Sequence, residues 1–135
     1  MTEPLWRPSP TQIAAANMTK FRAQVARDWS VDLQDSAALW QWSVTEIEHF
    51  WESLWRFCGV IGDGPGKTIL KDRHLMPGAQ FFPEARLNFA ENMLRHAADP
   101  AWAGRDAVVF WGEDKVKRRL SYADLHDRVS RLAQH

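Results

Sequence analysis

At 135 residues the chain is long enough for one domain with a sizeable core, because a domain of that size buries roughly two thirds of its unfolded surface. Hydrophobic residues at 45% and charged residues at 25% give an ordinary globular balance. Lysine and arginine total 17 and aspartate and glutamate total 17, so no long-range field favours nucleic acid or an anionic membrane. The single cysteine, Cys58, excludes an internal disulfide, and no basic start with an apolar run marks a secretory signal. No apolar stretch approaches the roughly twenty residues a membrane helix needs, and a cytoplasmic protein is expected.

Residues 1–8 contain two prolines and no helical period, which predicts an extended arm anchored by Trp6. Ser9-Pro10-Thr11-Gln12 reads as a helix start, with serine as cap, proline at the first helical position and glutamine at the third. The apolar stripe Ala14, Met18, Phe21, Val25 and Trp29 keeps spacings of three and four and predicts one helix to about Trp29. Asp35 or Ser36 then caps a short helix through Leu39, Trp40 and Trp42. Thr45 and Glu48 are expected to cap a third, whose Ile47, Phe50, Trp51, Leu54, Trp55 and Cys58 form the densest apolar face before Gly59 ends it. Such a face is core in most proteins; a partner groove is the sharper alternative.

Residues 60–67 form a glycine-rich loop that invites a phosphate-binding reading, which its spacing rejects. The phosphate-loop pattern places its first glycine where Ile61 stands, and Gly62 leaves the spacing one residue short. Pro65 removes an N–H, and Thr68-Ile69-Leu70 reads as a strand rather than the required helix, so a hairpin or surface turn is expected. Pro77-Gly78 turns the chain. Phe81 and Phe82 follow as apolar anchors, with Phe82 expected to be extended because it precedes Pro83. Asn88 caps a helix to about Ala97, with Glu91 placed to bond back to the Asn88 amide.

From residue 105 the period changes. Ala107 to Trp111 is a continuous apolar run of strand length, Gly112-Glu113-Asp114 is a turn, and Val116 to Leu120 is a charged returning strand. Ser121 caps a last helix, with Asp124 near its positive end and Leu125, Val129 and Leu132 on its apolar face. No stop signal precedes His135, which is the pattern of a chain cut within or just after a helix.

No chemical constellation emerges. His49, His74, His96, His126 and His135 show no ligand spacing with a cysteine or with one another. Cys58 sits on the apolar stripe, where a packed thiol is expected. The run Lys115, Lys117, Arg118, Arg119 could attract phosphate, but alternate strand residues face opposite ways, and lysines on a solvated edge strand deter pairing. Glu46 and Glu48 complement a helix dipole. Eight tryptophans, each able to bury roughly 150–250 Å², are more than a small helical domain hides, so some are expected to meet another surface.

The segment from Gly78 to Leu94, G-x-x-F-F-P-x-A-x-L-N-F-A-E-N-x-L, resembles the stretch joining the small N-terminal region of short-chain acyl-CoA synthetases to their large adenylate-forming domain. Leu5-Trp6-x-Pro8-Ser9 and the run Ile13 to Phe21 are most similar to the branch that activates acetoacetate. Leu120-Ser121-Tyr122-x-x-Leu125 resembles the first core motif of adenylate-forming enzymes, with Asp124 in place of the usual glutamate. The resemblance implies an α+β, mostly helical fold: a helical N-terminal cap over 1–75, a connecting segment over 76–104, and over 105–135 the first β-hairpin and helix of the adenylate-forming α/β domain.

The same resemblance implies an ATP-dependent acid–thiol ligase that takes acetoacetate through an acyl-adenylate to its coenzyme A thioester, with ATP, CoA and Mg2+ bound elsewhere. It places no catalytic, cofactor-binding or metal residue in this chain, which would serve as scaffold for the remainder of its own polypeptide and self-associate when alone. An acetyl- or propionyl-CoA synthetase, or a free-standing tryptophan-rich helical interaction module, are the alternatives.

Overall fold

A computed structural model describes residues 5–134, and the chain divides into two compact units between Ala85 and Arg86. The segment 76–104 is therefore shared: its first residues complete unit one and the rest opens unit two. The protein is α+β and mostly helical. No helix among the described residues is long and apolar enough to cross a membrane.

Unit one begins with α1 (Pro10–Ala15) and α2 (Asn17–Trp29). Ser9 caps α1 as expected, its hydroxyl accepting from the Gln12 amide at 3.2 Å while Gln12 Oε1 accepts from the Ser9 amide at 2.8 Å. The single helix expected to Trp29 is broken at Ala16, which is extended (φ −64°, ψ 139°). The Ile13 carbonyl, which a continuous helix would offer to the Asn17 amide, accepts instead from the Ala16 amide at 3.2 Å and the Thr19 hydroxyl at 2.6 Å. Alanine is the best helix former, so nothing at Ala16 announces the break. The predicted stripe splits accordingly: Phe21 and Val25 are buried, while Met18 is exposed. Residues 1–4 of the arm lie outside the described residues, and Trp6 is exposed rather than an anchor.

Asp35 caps α3 (Ser36–Thr45), its Oδ1 accepting from the Ala38 amide at 2.8 Å. Helix α4 (Ile47–Cys58) follows after one residue, and Thr45 does not cap it. Thr45 is still helical, and its hydroxyl donates back to the Gln41 and Trp42 carbonyls at 3.1 and 3.2 Å. Gly59 ends α4 in the left-handed region. Phe21, Val25, Leu33, Leu39 and Trp42 form the core, with Trp29, Phe50, Leu54 and Phe57 packed around it. Half of the α4 stripe thus serves the core, whereas Cys58 is exposed and not the packed thiol expected.

Only one polar side chain among the described residues is buried. Ser53 is 2% exposed, and its hydroxyl accepts from Trp29 Nε1 at 2.7 Å. Removing one partner strands the other, so Ser53→Ala is expected to cost about 1–3 kcal/mol. A double-mutant cycle with Trp29→Phe checks this. Coupling near 1 kcal/mol supports the bond, and additive effects would refute it.

After the loop, β1 (Leu70–Lys71) pairs antiparallel with β2 (Gln80–Phe81), Leu70 opposite Phe81. Phe81 and Phe82 bring their rings to 5.0 Å from Trp51 and 4.9 Å from Trp55, so the outer half of the α4 stripe is partnered within the unit. Phe82 is not extended, since its φ is +48°. Three contacts hold it in this costly region: its amide donates to the Ile69 carbonyl at 2.8 Å, its carbonyl accepts from the Ala85 amide at 3.0 Å, and its ring leans on Trp55.

Unit two opens with α5 (Phe89–Leu94), which tightens into a 3₁₀ turn over Arg95–Ala98. Asn88 caps it by accepting from the Glu91 amide at 3.2 Å; the expected return bond from Glu91 is not formed, and the Asn88 carbonyl accepts from the Asn92 side chain. Strands β3 (Asp106–Trp111) and β4 (Lys117–Ser121) form the predicted hairpin, with an irregularity between Asp106 and Val108. Helix α6 (Tyr122–Ala133) packs on both strands. Ser121 and Asp124 cap it reciprocally, the Ser121 hydroxyl accepting from the Asp124 amide at 3.1 Å and Asp124 Oδ2 accepting from the Ser121 amide at 3.2 Å. Leu125 and Val129 are half-buried on its inner face, and Leu132 is exposed.

Candidate functional site

The glycine-rich loop offers its amides to a group of the protein itself. Glu84, beyond β2, reaches back so that Oε2 accepts from the Lys67 amide at 2.7 Å and Oε1 from the Thr68 hydroxyl at 2.9 Å. Gly66 (φ +78°) makes the approach possible, since a Cβ there would lie 2.8 Å from Glu84 Oε2 and 2.9 Å from its Cβ. The position an anion would take beside Lys67 is filled by this carboxylate.

The Lys67 amide first, and then the Thr68 hydroxyl, hold the Glu84 carboxyl below the usual glutamate range. A carboxylate whose folded pKa is depressed adds stability above its unfolded pKa and loses it as pH falls through the folded one. Glu84→Gln is therefore expected to lower the urea midpoint at pH 7, with the gap to the native protein narrowing as pH falls below the ordinary glutamate range. A gap that stays constant with pH would show that the charge is not what stabilises the loop. Asp124 is depressed in the same direction by the Ser121 hydroxyl and amide.

The histidines are dispersed. His49 stacks on Trp29 with ring centres 3.8 Å apart and lies 3.4 Å from Glu46, a residue that stands at the head of α4 with Glu48 in its first turn. His96 packs against Trp102 at 4.9 Å and Tyr122 at 5.8 Å, with the Arg105 guanidinium 4.3 Å from the Trp102 ring. This cluster ties the 3₁₀ turn to the start of α6, and its members are too far apart in sequence for spacing to reveal it. His74 is exposed, and His135 lies outside the described residues. Among the described residues no three His, Cys, Asp or Glu side chains converge as a metal site would require.

The basic run divides between the two faces of the hairpin. Lys117 lies over the Trp111 ring at 4.7 Å and Arg119 pairs with Asp106 on one face. On the other, Arg118 joins Val108, Phe110, Leu120 and Arg128 around an open cavity of about 620 Å³ whose rim Arg119 also reaches. A second cavity, about 470 Å³, separates α5 and its 3₁₀ turn from α6 and is lined by Glu91, Leu94, Arg95, His126 and Val129. The tryptophans separate as well: Trp42 is buried, while Trp6, Trp40 and Trp111 stand 72%, 64% and 67% exposed.

Beside these clusters, large apolar side chains stand exposed among the described residues. Residues 36–93, from α3 to α5, match the family described as the acetyl-coenzyme A synthetase N-terminus.

Within that class its likeness is to acetoacetyl-CoA synthetases. It is 41% identical over 97% of its length to the acetoacetyl-coenzyme A synthetase of Rhizobium meliloti and 30% identical over 96% to that of Danio rerio. The malonamoyl-CoA synthetase of Penicillium aethiopicum is likewise 30% identical over 96%. The solved structure of the acetoacetyl-CoA synthetase from Streptomyces lividans superposes on 98% of the chain with a TM-score of 0.80 and 35% identity. The chain spans about a fifth of these proteins, 19% of the Rhizobium meliloti enzyme and 20% of the solved one.

Proposed function

We propose that the chain is the amino-terminal scaffold of an acetoacetate–CoA ligase, a cytoplasmic enzyme that forms acetoacetyl-CoA, AMP and pyrophosphate from acetoacetate, ATP and CoA through an acyl-adenylate. The observation that carries this reading is 41% identity sustained over 97% of the chain with an acetoacetyl-CoA synthetase. In this reading residues 1–75 are the helical cap, 76–104 the connection, and 105–135 the first hairpin and helix of the adenylate-forming domain. ATP, CoA, Mg2+ and the acid bind on the remainder of the polypeptide, and no residue here is assigned a catalytic, cofactor-binding or metal role. The exposed Trp6, Trp40 and Trp111 favour self-association of the chain when it is alone.

The similarity to a malonamoyl-CoA synthetase supports a broader second reading. Malonamate carries an amino group where acetoacetate carries a methyl, so the two acids are near-isosteres that share a 3-carbonyl carboxylate. The malonamoyl-CoA synthetase is as similar to the chain as the acetoacetyl-CoA synthetase of Danio rerio, each at 30% identity, although the Rhizobium meliloti enzyme at 41% favours acetoacetate.

Acid-dependent ATP–pyrophosphate exchange tests both readings. The full-length gene product is expected to exchange with acetoacetate and far less with acetate, and the 135-residue chain not at all, since no phosphate cradle is expected from its sequence. Preference for acetate or propionate would overturn the acetoacetate assignment, and preference for malonamate would move it to the second reading. A gene product that ends at His135 and binds a partner through its tryptophans would replace both with an interaction module.

A further inference from the structure

Where the chain leaves unit one, a run of bonds ends abruptly. Beyond β2 the Phe82 amide donates to the Ile69 carbonyl at 2.8 Å, and the Ala85 amide to the Phe82 carbonyl at 3.0 Å. Between them Glu84 accepts from the Lys67 amide and the Thr68 hydroxyl, which ties the exit from β2 to the residues that lead into β1. The next anchor is Asn88, whose side chain accepts from the Glu91 amide at the head of α5. Arg86 and Leu87 stand between these anchors, both exposed, and among the described residues neither takes part in a backbone–backbone hydrogen bond. The division between the two compact units falls at this place, after Ala85.

The contact made by Glu84 differs from an ordinary surface ion pair, which contributes little because two long side chains must be held together in water. Its two oxygens accept from adjacent donors on one loop, one of them a backbone amide whose position the fold has already fixed. Gly66 lets the loop come this close, since any Cβ there would collide with the carboxylate. The bond also joins residues 17 apart in sequence, so its loss would loosen both ends of the segment it closes. What it leaves in place is the single Ala85–Phe82 bond, set against the cost of holding Phe82 at φ +48°.

We propose that Arg86-Leu87 is the joint between the two units and that the Glu84 clamp sets its length. With the clamp closed, the freely turning backbone is confined to these two residues. With it open, the free stretch extends back through Ala85 and Pro83 to Phe82. Glu84 is in this role a positioning residue, acting through the loop on the segment that follows it.

Limited trypsin digestion of the 135-residue chain, with each cut identified by mass spectrometry, tests this, because a protease must draw the residues on both sides of a bond into extended form. Cleavage after Arg86 requires Glu84 and Ala85 to be drawn out, whereas cleavage after Arg27, inside α2, reports the unfolding of unit one. Glu84→Ala is expected to raise the rate of the Arg86 cut by about fivefold or more, following the larger open population, and to leave the Arg27 cut unchanged. Gly66→Ala and Gly64→Ala separate the clamp from the loop backbone. Both place a Cβ at positive φ, +78° and +95°, but only the first meets Glu84, and the second has nothing within 4 Å. Gly66→Ala is expected to match Glu84→Ala, and Gly64→Ala to keep the native ratio of the two cuts.

An Arg86 cut that is unchanged in both Glu84→Ala and Gly66→Ala would overturn the clamp. Equal rises after Arg27 and Arg86 would overturn it too, since Glu84 would then only add to the stability of unit one. So would a Gly64→Ala chain that behaves like Gly66→Ala, because backbone strain by itself would release the joint. A native chain cut no faster after Arg86 than after Arg27 would show that Arg86-Leu87 is not a joint. If Glu84→Ala fails to fold, Thr68→Val removes one of the two donors and is expected to give a smaller rise at the same bond; no rise there would overturn the proposal.

Discussion

Phe21→Ala is expected to destabilise unit one by about 4 kcal/mol, a large part of the roughly 5–15 kcal/mol that holds a domain folded. The Phe21 side chain is 5% exposed and stands edge-on to Phe50 at 6.0 Å and Phe57 at 5.1 Å, so it joins α2 to α4 at the centre of the core. Truncation removes the buried ring, leaves a cavity among side chains held by three helices, and deletes two aromatic contacts worth about 0.5–1.5 kcal/mol each beyond their area.

Met18→Ala is the control. Met18 occupies the same predicted stripe on the same helix but is 57% exposed, so its loss is expected to cost under about 1 kcal/mol. Urea unfolding followed by circular dichroism measures both. Equal midpoints for the two variants would show that the core is not centred where the packing of α2 places it.

Gly78→Ala is expected to cost about 3 kcal/mol or more through two separable effects. The first is conformational, because Gly78 has φ +135°, a region that L-residues with a Cβ rarely enter. The second is steric: an added Cβ would lie 2.9 Å from the Leu75 Cβ and 3.1 Å from its Cδ1. Leu75 cannot swing aside at its Cβ, and its own backbone is fixed by bonds from the Leu75 amide to the Asp72 carbonyl at 2.9 Å and from the Ala79 amide to the Leu75 carbonyl at 3.3 Å. This turn returns the chain so that β2 can pair with β1.

Two comparisons isolate the causes. Leu75→Ala beside Gly78→Ala shortens the side chain, and is expected to restore part of the loss while the conformational cost persists. Gly104→Ala, at a position with no neighbour within 4 Å of the added Cβ and no left-handed φ, is expected to be neutral or slightly stabilising. A Gly78→Ala midpoint equal to that of Gly104→Ala would refute the turn geometry.

The bearing of the structure on function lies in what surrounds the apolar residues. The α4 stripe reads in sequence as one broad face, yet it divides between a helical core on one side and the Phe81 and Phe82 rings on the other. Its aromatic excess is thus consumed inside unit one. Exposed apolar side chains remain in both units, Trp6 and Trp40 in the first and Phe89, Trp111 and Leu132 in the second among them.

The sequence by itself determined the elements whose causes are local. The Ser9, Asp35, Asn88 and Ser121 caps, the Gly59 helix end, the change of period near residue 105 and the rejection of the glycine loop as a phosphate cradle each depend on residues within one or two turns of each other. The motif from Gly78 to Leu94 also sufficed to point to the family.

Only the tertiary structure decided the features that depend on partners distant in the chain. The break at Ala16 follows from hydrogen bonds that a strong helix former does not advertise. The left-handed Phe82 is held by Ile69 and Trp55, and the Ser53 hydroxyl matters because Trp29 lies across from it. Glu84 occupies the loop from 17 residues away. In each case a local preference worth a fraction of a kcal/mol to a few kcal/mol is outweighed by several contacts acting together, and no spacing rule records which distant groups the fold will bring within bonding distance.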